Sequence, residues 1–246
     1  MKLTFFGTSH GVPSADRYCC CTLLESEGSL YLLDAGAPVI DCLLRSGYDI
    51  HKLRAAFVSH VHGDHTAGLF HVIELMNWYY KQSAADFYLP EQPLIDAYRT
   101  MLRAIAFGEN DDARIHLKRI DPTVPYEDEN IKVEYIPTKH MGEGHSTYAL
   151  LVTEGDKRVL FSGDLSGRLR ENDVPAILAE EELDLYVTEM AHYNLETLTP
   201  YLQACKAKRV AFTHVFPLKK YDDIEAAKPD YPFEILCPND GDILEL

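Results

Sequence analysis

Apolar residues fall along this chain in short runs, some alternating with polar positions and some solid, broken by glycine-rich or polar punctuation. Leu3-Thr4-Phe5-Phe6 reads as a first strand that stops at Gly7-Thr8-Ser9-His10-Gly11-Val12-Pro13, a glycine-punctuated loop. Residues 18–24 and 29–33 read as two strands joined by a turn at Glu27-Gly28. Residues 38–45 form a helical pattern closed by Gly47, and residues 54–59 a strand. From residue 65 to 81, Leu69, Val72, Ile73, Met76 and Tyr80 recur on one helical face. Trp78 and Tyr79, with Tyr80, are expected to pack against the body of the protein, with a pocket lining as the alternative. Strands follow at residues 86–89, 113–120, 131–137, 147–153, 158–162, 183–188, 209–213, 233–236 and 243–246. Helices are expected at residues 93–105 and 195–205, and Glu180-Glu181-Glu182 as a solvated helix end.

Both halves of the chain therefore run from a strand-rich start to helix–strand units. Strands first, then helices alternating with strands, twice over, predicts two sheets packed face to face with helices outside, in the α/β class. The 246 residues, 46% of them apolar, can bury a sizeable core, and one domain over residues 1–246 is the expectation. No run of about 18 apolar residues offers a membrane span. The β-like start is no signal peptide, so a cytoplasmic protein is expected. The six cysteines lack a disulfide-framework spacing. Cys20 and Cys21 are expected as small core residues alternating across a strand, with a redox or metal role for Cys19, Cys20 and Cys21 as the alternative. A net charge of −16 repels a polyphosphate backbone and is compatible with a small anionic substrate drawn to bound metal. The sequence leaves a homodimer open.

The chemistry sits just after the strands. Val58-Ser59-His60-Val61-His62-Gly63-Asp64-His65 places three histidines and an aspartate within six residues, where a strand end feeds a helix start. Imidazole nitrogen and carboxylate oxygen are ligands for zinc and similar divalent metals. His140, Asp164, Glu189 with His192, and His214 each follow an apolar strand in the same way. A sheet fixes the directions of side chains at its edge, so these residues can converge on one point. Six or seven ligands exceed what one tetrahedral metal needs and fit two metals sharing a carboxylate, with Asp164 the natural bridge.

His60-Val61-His62-Gly63-Asp64-His65, followed by His140, Asp164 and His214, resembles the metal-ligand series of the metallo-β-lactamase superfamily over nearly the whole chain. The resemblance implies a four-layer αββα sandwich of two mixed sheets with a dinuclear site. It implies that His60, His62 and His140 hold one metal, that Asp64, His65 and His214 hold the other, and that Asp164 bridges. His145 competes with His140 for its place, and His140 is preferred because it directly ends a strand. Residues 6–14, followed by Tyr31-Leu32-Leu33-Asp34-Ala35-Gly36, resemble the ribonuclease Z branch, which also holds phosphoribosyl cyclic phosphodiesterases. Residues 188–196, with Glu189 and His192, look like a compressed form of that branch's catalytic Glu and His segment. The chain departs from ribonuclease Z between His65 and His140, which reads as helix–strand–helix–strand and not as a Gly/Pro-rich tRNA-gripping arm. It also departs from the cyclic phosphodiesterase, whose cysteine-rich, metal-holding insertion is absent unless Cys19 to Cys21 are its remnant.

The expected protein is a dinuclear metal-dependent hydrolase with two divalent ions, zinc first and manganese or iron as alternatives. A phosphodiesterase on a small cyclic or nucleotide-like phosphodiester is the leading activity, with metal-bridging hydroxide as nucleophile. Asp64 would orient or deprotonate that nucleophile. His192, held by Glu189, would protonate the leaving oxygen; a charge cluster at a helix start is the alternative for this pair. The rival activities are a lactonase or thioesterase of the same fold, a tRNA 3′-processing endonuclease, and a non-catalytic metal or redox module. His10 is a candidate substrate contact, and Lys139, Lys219 and Lys220 are candidate phosphate contacts, with solvated lysines the plainer expectation. His51, His71 and His116 are expected to be structural.

Overall fold

Strands β1 (Lys2–Gly7), β2 (Cys21–Ser26), β3 (Ser29–Leu33), β4 (Leu53–Phe57), β5 (Ala85–Leu89) and β6 (Ile115–Arg119) pair side by side in that order in the computed structural model. A second sheet runs β7 (Tyr126–Glu127), β8 (Lys132–Pro137), β9 (Tyr148–Glu154), β10 (Lys157–Phe161), β11 (Leu185–Met190), β12 (Arg209–Val215) and β13 (Glu234–Leu236). The last strand, β14 (Ile243–Glu245), returns to pair with β1, so each sheet has seven strands. The structure describes residues 1–106 and 108–246, with the side chains of residues 168, 170 and 171 left out. Each sheet has an antiparallel half, β14-β1-β2-β3 or β7-β8-β9-β10, and a parallel half, β3-β4-β5-β6 or β10-β11-β12-β13.

Strand alternation divides the core into layers. In β3, Tyr31 and Leu33 turn inward to meet the second sheet, together with Phe5 and Phe57 from the first and Val133, Leu150 and Val159 from the second. Leu30 and Leu32 turn outward onto α1 (Val39–Arg45), α3 (Leu69–Trp78) and α4 (Gln92–Ala104), through Leu43, Val72, Met76 and Leu102. Leu160, Tyr186 and Phe212 of the second sheet cover α6 (Leu195–Ala204) and α7 (Lys220–Ala227) through Leu198, Leu202 and Ile224. Three cores between four layers make the αββα sandwich. No helix among the described residues is long and apolar enough to cross a membrane.

Several elements differ from the sequence expectation. The helix expected over residues 65–81 is two, the single turn α2 (Gly63–Thr66) and then α3, with Ala67 and Gly68 between. Gly68 marks the break: its N–H donates to the Ala35 carbonyl at 2.8 Å, and a Cβ there would lie 1.9 Å from the Ala37 oxygen. Tyr80 packs onto the outer core of the first sheet as expected, whereas Trp78 and Tyr79 are 46% and 68% exposed at the end of α3, their rings in a T-shaped contact. The second strand begins at Cys21, because Gly7 crowds the carbonyl of Cys19 and the preceding segment bends away. β7 and α7 did not stand out in the apolar pattern: the first is two residues long and the second buries only Ile224. Glu180 does end a short helix, α5 (Ile177–Glu180).

Candidate metal centre

The histidine and carboxylate side chains collect where the parallel halves of both sheets end. Asp34 follows β3, His60 lies just beyond β4, Asp164 follows β10, Glu189 lies at the end of β11 and His214 at the end of β12. The backbone is bent to deliver them. Asp34 and His214 have φ of 55° and 50°, a left-handed conformation that non-glycine residues adopt only under constraint. The constraints are visible: Asp34 N–H donates to the Phe57 carbonyl at 2.9 Å, and His214 N–H donates to the Thr8 carbonyl at 2.8 Å. Before Asp164, Gly163 has φ 57°, and a Cβ there would lie 2.9 Å from both Ser59 Cβ and the Tyr148 oxygen. Only glycine lets the second sheet carry Asp164 this close to the first.

Two groups of ligand atoms result, each with members within 4.8 Å of one another: His60, His62, His140 and Asp164, and Asp64, His65, Asp164 and His214. In the first, His62 Nδ1 lies 3.0 Å from His60 Nε2 and 3.3 Å from His140 Nε2. Asp164 Oδ2 is 3.7 Å from Nε2 of both His60 and His140. In the second, His214 Nε2 and His65 Nε2 approach Asp64 Oδ2 at 3.1 and 3.6 Å. Asp164 Oδ1 lies 3.3 Å from His65 Nε2 and 3.6 Å from His214 Nδ1. One oxygen of Asp164 thus faces each group.

Three atoms at the heart of the second group, His65 Nε2, Asp164 Oδ1 and His214 Nδ1, are buried with no hydrogen-bond partner. Buried polar atoms are normally paired, and burying an unpaired one costs about 1–3 kcal/mol. A divalent cation satisfies all three at once, so the donor set fits a metal. The electrostatics agree. Burial disfavours charge on His65, yet the carboxylates of Asp164 and Asp34 outweigh it and push the His65 pKa well up. Burial likewise opposes ionised Asp164, and His214 and His65 outweigh it, holding the carboxyl well below its ordinary range. Asp64 is held down by His214 and His65 against its own burial. Burial first, then the charge of His65, pushes His60 well down, and burial lowers His140. The cluster favours positive charge beside its carboxylates and bare lone pairs on His60 and His140, as a cation site requires.

Groups behind the cluster orient these side chains. Asp34 accepts from Ser59 N–H at 2.7 Å and Ser59 Oγ at 2.9 Å, and it pairs with His65 Nδ1 at 2.7 Å. His60 Nδ1 meets Ser59 Oγ at 3.0 Å, and His140 Nδ1 meets the Leu165 carbonyl at 3.1 Å. Each contact leaves the opposite nitrogen facing the cluster. The apolar pattern alone assigns no role to Asp34 or Ser59. The signal was present, since Asp34 also ends an apolar strand.

Glu189 is buried and locked by backbone donors: Leu165 N–H on Oε1 at 3.1 Å, and Ala191 and His192 N–H on Oε2 at 2.6 and 3.0 Å. Its Oε1 also accepts from His192 Nδ1 at 2.9 Å. The His192 ring lies 4.6 Å from the His140 ring, and its Nδ1 is 3.8 Å from Asp164 Oδ2. Burial lowers the His192 pKa, but the Glu189 hydrogen bond and charge prevail and raise it. His145 stands apart, paired with Glu91 at 3.0 Å. His10 stacks on Phe216 with ring centroids 3.9 Å apart. Lys220 is no free phosphate contact, because its Nζ donates to the carbonyls of Met190 and Tyr193 and braces the His192 loop. Cys21 is core, whereas Cys20 borders Asp34 and His65 rather than a strand interior. His71 is exposed, His51 pairs with Ser83 at 2.8 Å and His116 with Asp86 at 2.6 Å.

A family model described as "Anti-Pycsar protein Apyc1" matches residues 1–227. The ribonuclease Z of Halalkalibacterium halodurans is 29% identical over 182 residues, covering 71% of this chain and 55% of that protein. The chain spans about half the length, or less, of the curated relatives it matches. Among solved structures, the metallo-beta-lactamase fold protein YhfI from Bacillus subtilis superposes with a TM-score of 0.78 at 20% identity, covering 99% of both chains. The short form of human tRNase Z superposes with a TM-score of 0.72 at 19% identity, covering 100% of this chain and 99% of that one.

Proposed function

The chain belongs to the family described as anti-Pycsar protein Apyc1; from that premise we propose that it is a metal-dependent hydrolase of the metallo-β-lactamase fold, and within that class a dinuclear phosphodiesterase acting on a small cyclic or nucleotide-like phosphodiester. The observation that carries this reading is the Glu189–His192 pair beside the two ligand groups. His60, His62 and His140 would hold one ion, Asp64, His65 and His214 the other, and Asp164 both. When bound, the ions, zinc first with manganese or iron as alternatives, neutralise phosphate charge and bring the pKa of water from about 15.7 toward ~7.

The side chains do the rest. Asp64, with Oδ2 turned toward His214 and His65, can orient the attacking oxygen and accept its proton. His192 keeps its Nδ1 proton on Glu189, so its Nε2 proton is the one given to the leaving alkoxide. Glu189 supports the charged imidazole, and three backbone amides keep that carboxylate in place. A lactone or thioester, with a less demanding leaving group, gains little from such an acid, which is why the pair favours a phosphodiester. A net charge of −16 favours a small anionic substrate over a tRNA. The same reading takes residues 1–246 as one hydrolase domain working in the cytoplasm, without a membrane or nucleic-acid partner; light scattering decides between monomer and homodimer.

The test offers metal-loaded protein bis-p-nitrophenyl phosphate, 2′,3′- and 3′,5′-cyclic nucleotides, a lactone panel and precursor tRNA. Turnover of small phosphodiesters is expected. Lactone turnover without phosphodiester turnover, or cleavage of precursor tRNA alone, overturns the reading.

A further inference from the structure

Lys219 and Lys220 are neighbours with opposite fates. After His214 and Val215 the chain leaves the second sheet through residues 216–219, all exposed, and returns to the protein at Lys220, the first residue of α7. There Lys220 Nζ donates to three carbonyls of one segment, Tyr193 at 2.7 Å, Met190 at 2.9 Å and Ala191 at 3.4 Å. That segment joins β11 to α6 and carries His192. The position is a costly one for a cation. An ammonium at a helix start meets the positive end of the helix dipole. Burial also pushes the Lys220 pKa down, against the opposing charges of Glu189 and Asp223. A solvated lysine would turn out to water, as Lys219 does; the three carbonyls offset the cost of keeping Lys220 in.

The same segment is pinned from the core. Tyr193 is buried, and its hydroxyl meets Thr188 Oγ1 at 3.1 Å, which in turn donates to the Tyr186 hydroxyl at 3.0 Å. Glu189 takes the amides of Ala191 and His192. The ring of Tyr193 thus fixes one end of the turn, Glu189 fixes its amides and Lys220 its carbonyls. The His192 side chain is itself 32% exposed and is held at Nδ1 by Glu189. Its aim at the centre depends on the backbone behind it. Lys220 follows closely on His214, so its brace also ties the segment of the acid to the strand that delivers a candidate ligand.

Resting on the phosphodiesterase reading with His192 as its acid, we propose that Lys220 is a positioning residue for proton delivery. Its ammonium gathers the carbonyls of Met190, Ala191 and Tyr193, so that the His192 Nε2 proton passes to the leaving alkoxide as the P–O bond breaks. Lys220 does this without touching substrate. A reacting group displaced by about 1 Å can cost on the order of 10²-fold in rate, so the brace governs much of what the acid contributes. The effect is confined to leaving groups that need a proton.

The experiment compares metal-loaded Lys220→Met with wild type on two diesters. One is a 3′,5′-cyclic nucleotide, whose leaving alkoxide needs a proton; the other is bis-p-nitrophenyl phosphate, whose p-nitrophenolate leaves without one. On the cyclic nucleotide kcat should fall about 10- to 100-fold with KM within about twofold, while bis-p-nitrophenyl phosphate loses no more than about threefold. Lys220→Arg, which keeps the charge and the donors, should recover most of the loss. In a His192→Ala background Lys220→Met should cost about twofold at most, because the two residues act as a unit. A second arm needs no turnover. Hydrogen exchange of the Ala191 and His192 amides should quicken at least about tenfold in Lys220→Met, while the amides of β10 and β12 keep their rates. Equal losses on both diesters, full additivity with His192→Ala, or Ala191 and His192 amides that exchange as in wild type overturn the positioning role. Should Lys220→Met not fold, Lys220→Gln, with donors and no charge, carries the same comparisons. Inactivity of wild-type protein toward every phosphodiester instead overturns the reading on which the proposal rests, and the exchange arm then decides the brace alone.

Discussion

The two halves of the centre use the same side-chain types under different conditions. On one side stand three imidazoles, His60, His62 and His140, with a single oxygen from Asp164, and His62 is exposed. Neutral groups hold this half from behind, Ser59 Oγ on His60 and the Leu165 carbonyl on His140. On the other side His65 and His214 are buried between two carboxylates, and a third, Asp34, backs His65. All three orphaned atoms of the centre belong to this half or to the Asp164 oxygen facing it. The extra carboxylate charge and the buried, unpartnered ligand atoms therefore favour a dication more strongly beside Asp64 than beside His62. If both groups hold an ion as proposed, the His60/His62/His140 ion should leave first under stepwise chelation and the other should persist.

Three substitutions try that asymmetry, from the largest effect down. On the two-ion proposal, Asp164→Asn weakens the one ligand the halves would share. Hydrolysis should fall on the order of 10³-fold or more, and elemental analysis should find at most one ion per chain. Retention of two ions would mean the halves do not depend on their bridge. His192→Ala, next to His140, should slow phosphodiester hydrolysis by about 10²–10⁴ with metal content unchanged. Loss of an ion would instead make His192 a ligand of the exposed half. Asp34→Asn removes the charge behind His65 and should weaken the buried ion by about 10- to 100-fold while leaving the exposed one near its original affinity, as competition with a chromophoric chelator would report. Equal weakening of both would erase the distinction between the halves.

Much of this was legible in the chain because of where the polar residues stand. A histidine or aspartate directly after an apolar run lies at a sheet edge whatever the loop beyond it does. That is why His60, Asp164, Glu189 and His214 could be named without coordinates, and why the two-sheet plan could be read from the order of strands. What was hidden depends on contacts between segments distant in sequence. Gly68 breaks a helix because the Ala37 carbonyl of another segment arrives there, which no local pattern records. Trp78 and Tyr79 look like packing residues, yet they stand 46% and 68% exposed where their helix ends. Asp34 reads as a strand terminus until His65, 31 residues away, is found against it. The choice between His140 and His145 lies in a turn that sends one ring to His62 and the other to Glu91.

The smallest expected effect separates the centre from its scaffold. Asp128 joins the two sheets well away from the ligands: its Oδ2 accepts from Tyr31 of β3 at 2.7 Å and Tyr126 of β7 at 2.6 Å, and its Oδ1 from the amides of Asn130 and Ile131, both at 2.9 Å. Burial opposes its charge, but these four donors prevail and lower its pKa. A carboxyl whose folded pKa lies below its unfolded value of about 3.9 stabilises the fold above that value, and the contribution is lost as pH falls through the folded pKa. Asp128→Asn keeps an acceptor and loses the charge. It should therefore destabilise metal-free protein at pH 7 by about 1 kcal/mol in urea unfolding. The gap to wild type should close toward pH 3 and below. The carboxylates of the centre titrate alike in both proteins, so the difference between the two curves reports the scaffold alone. A gap that stayed constant with pH would show that Asp128 acts through its shape and not its charge.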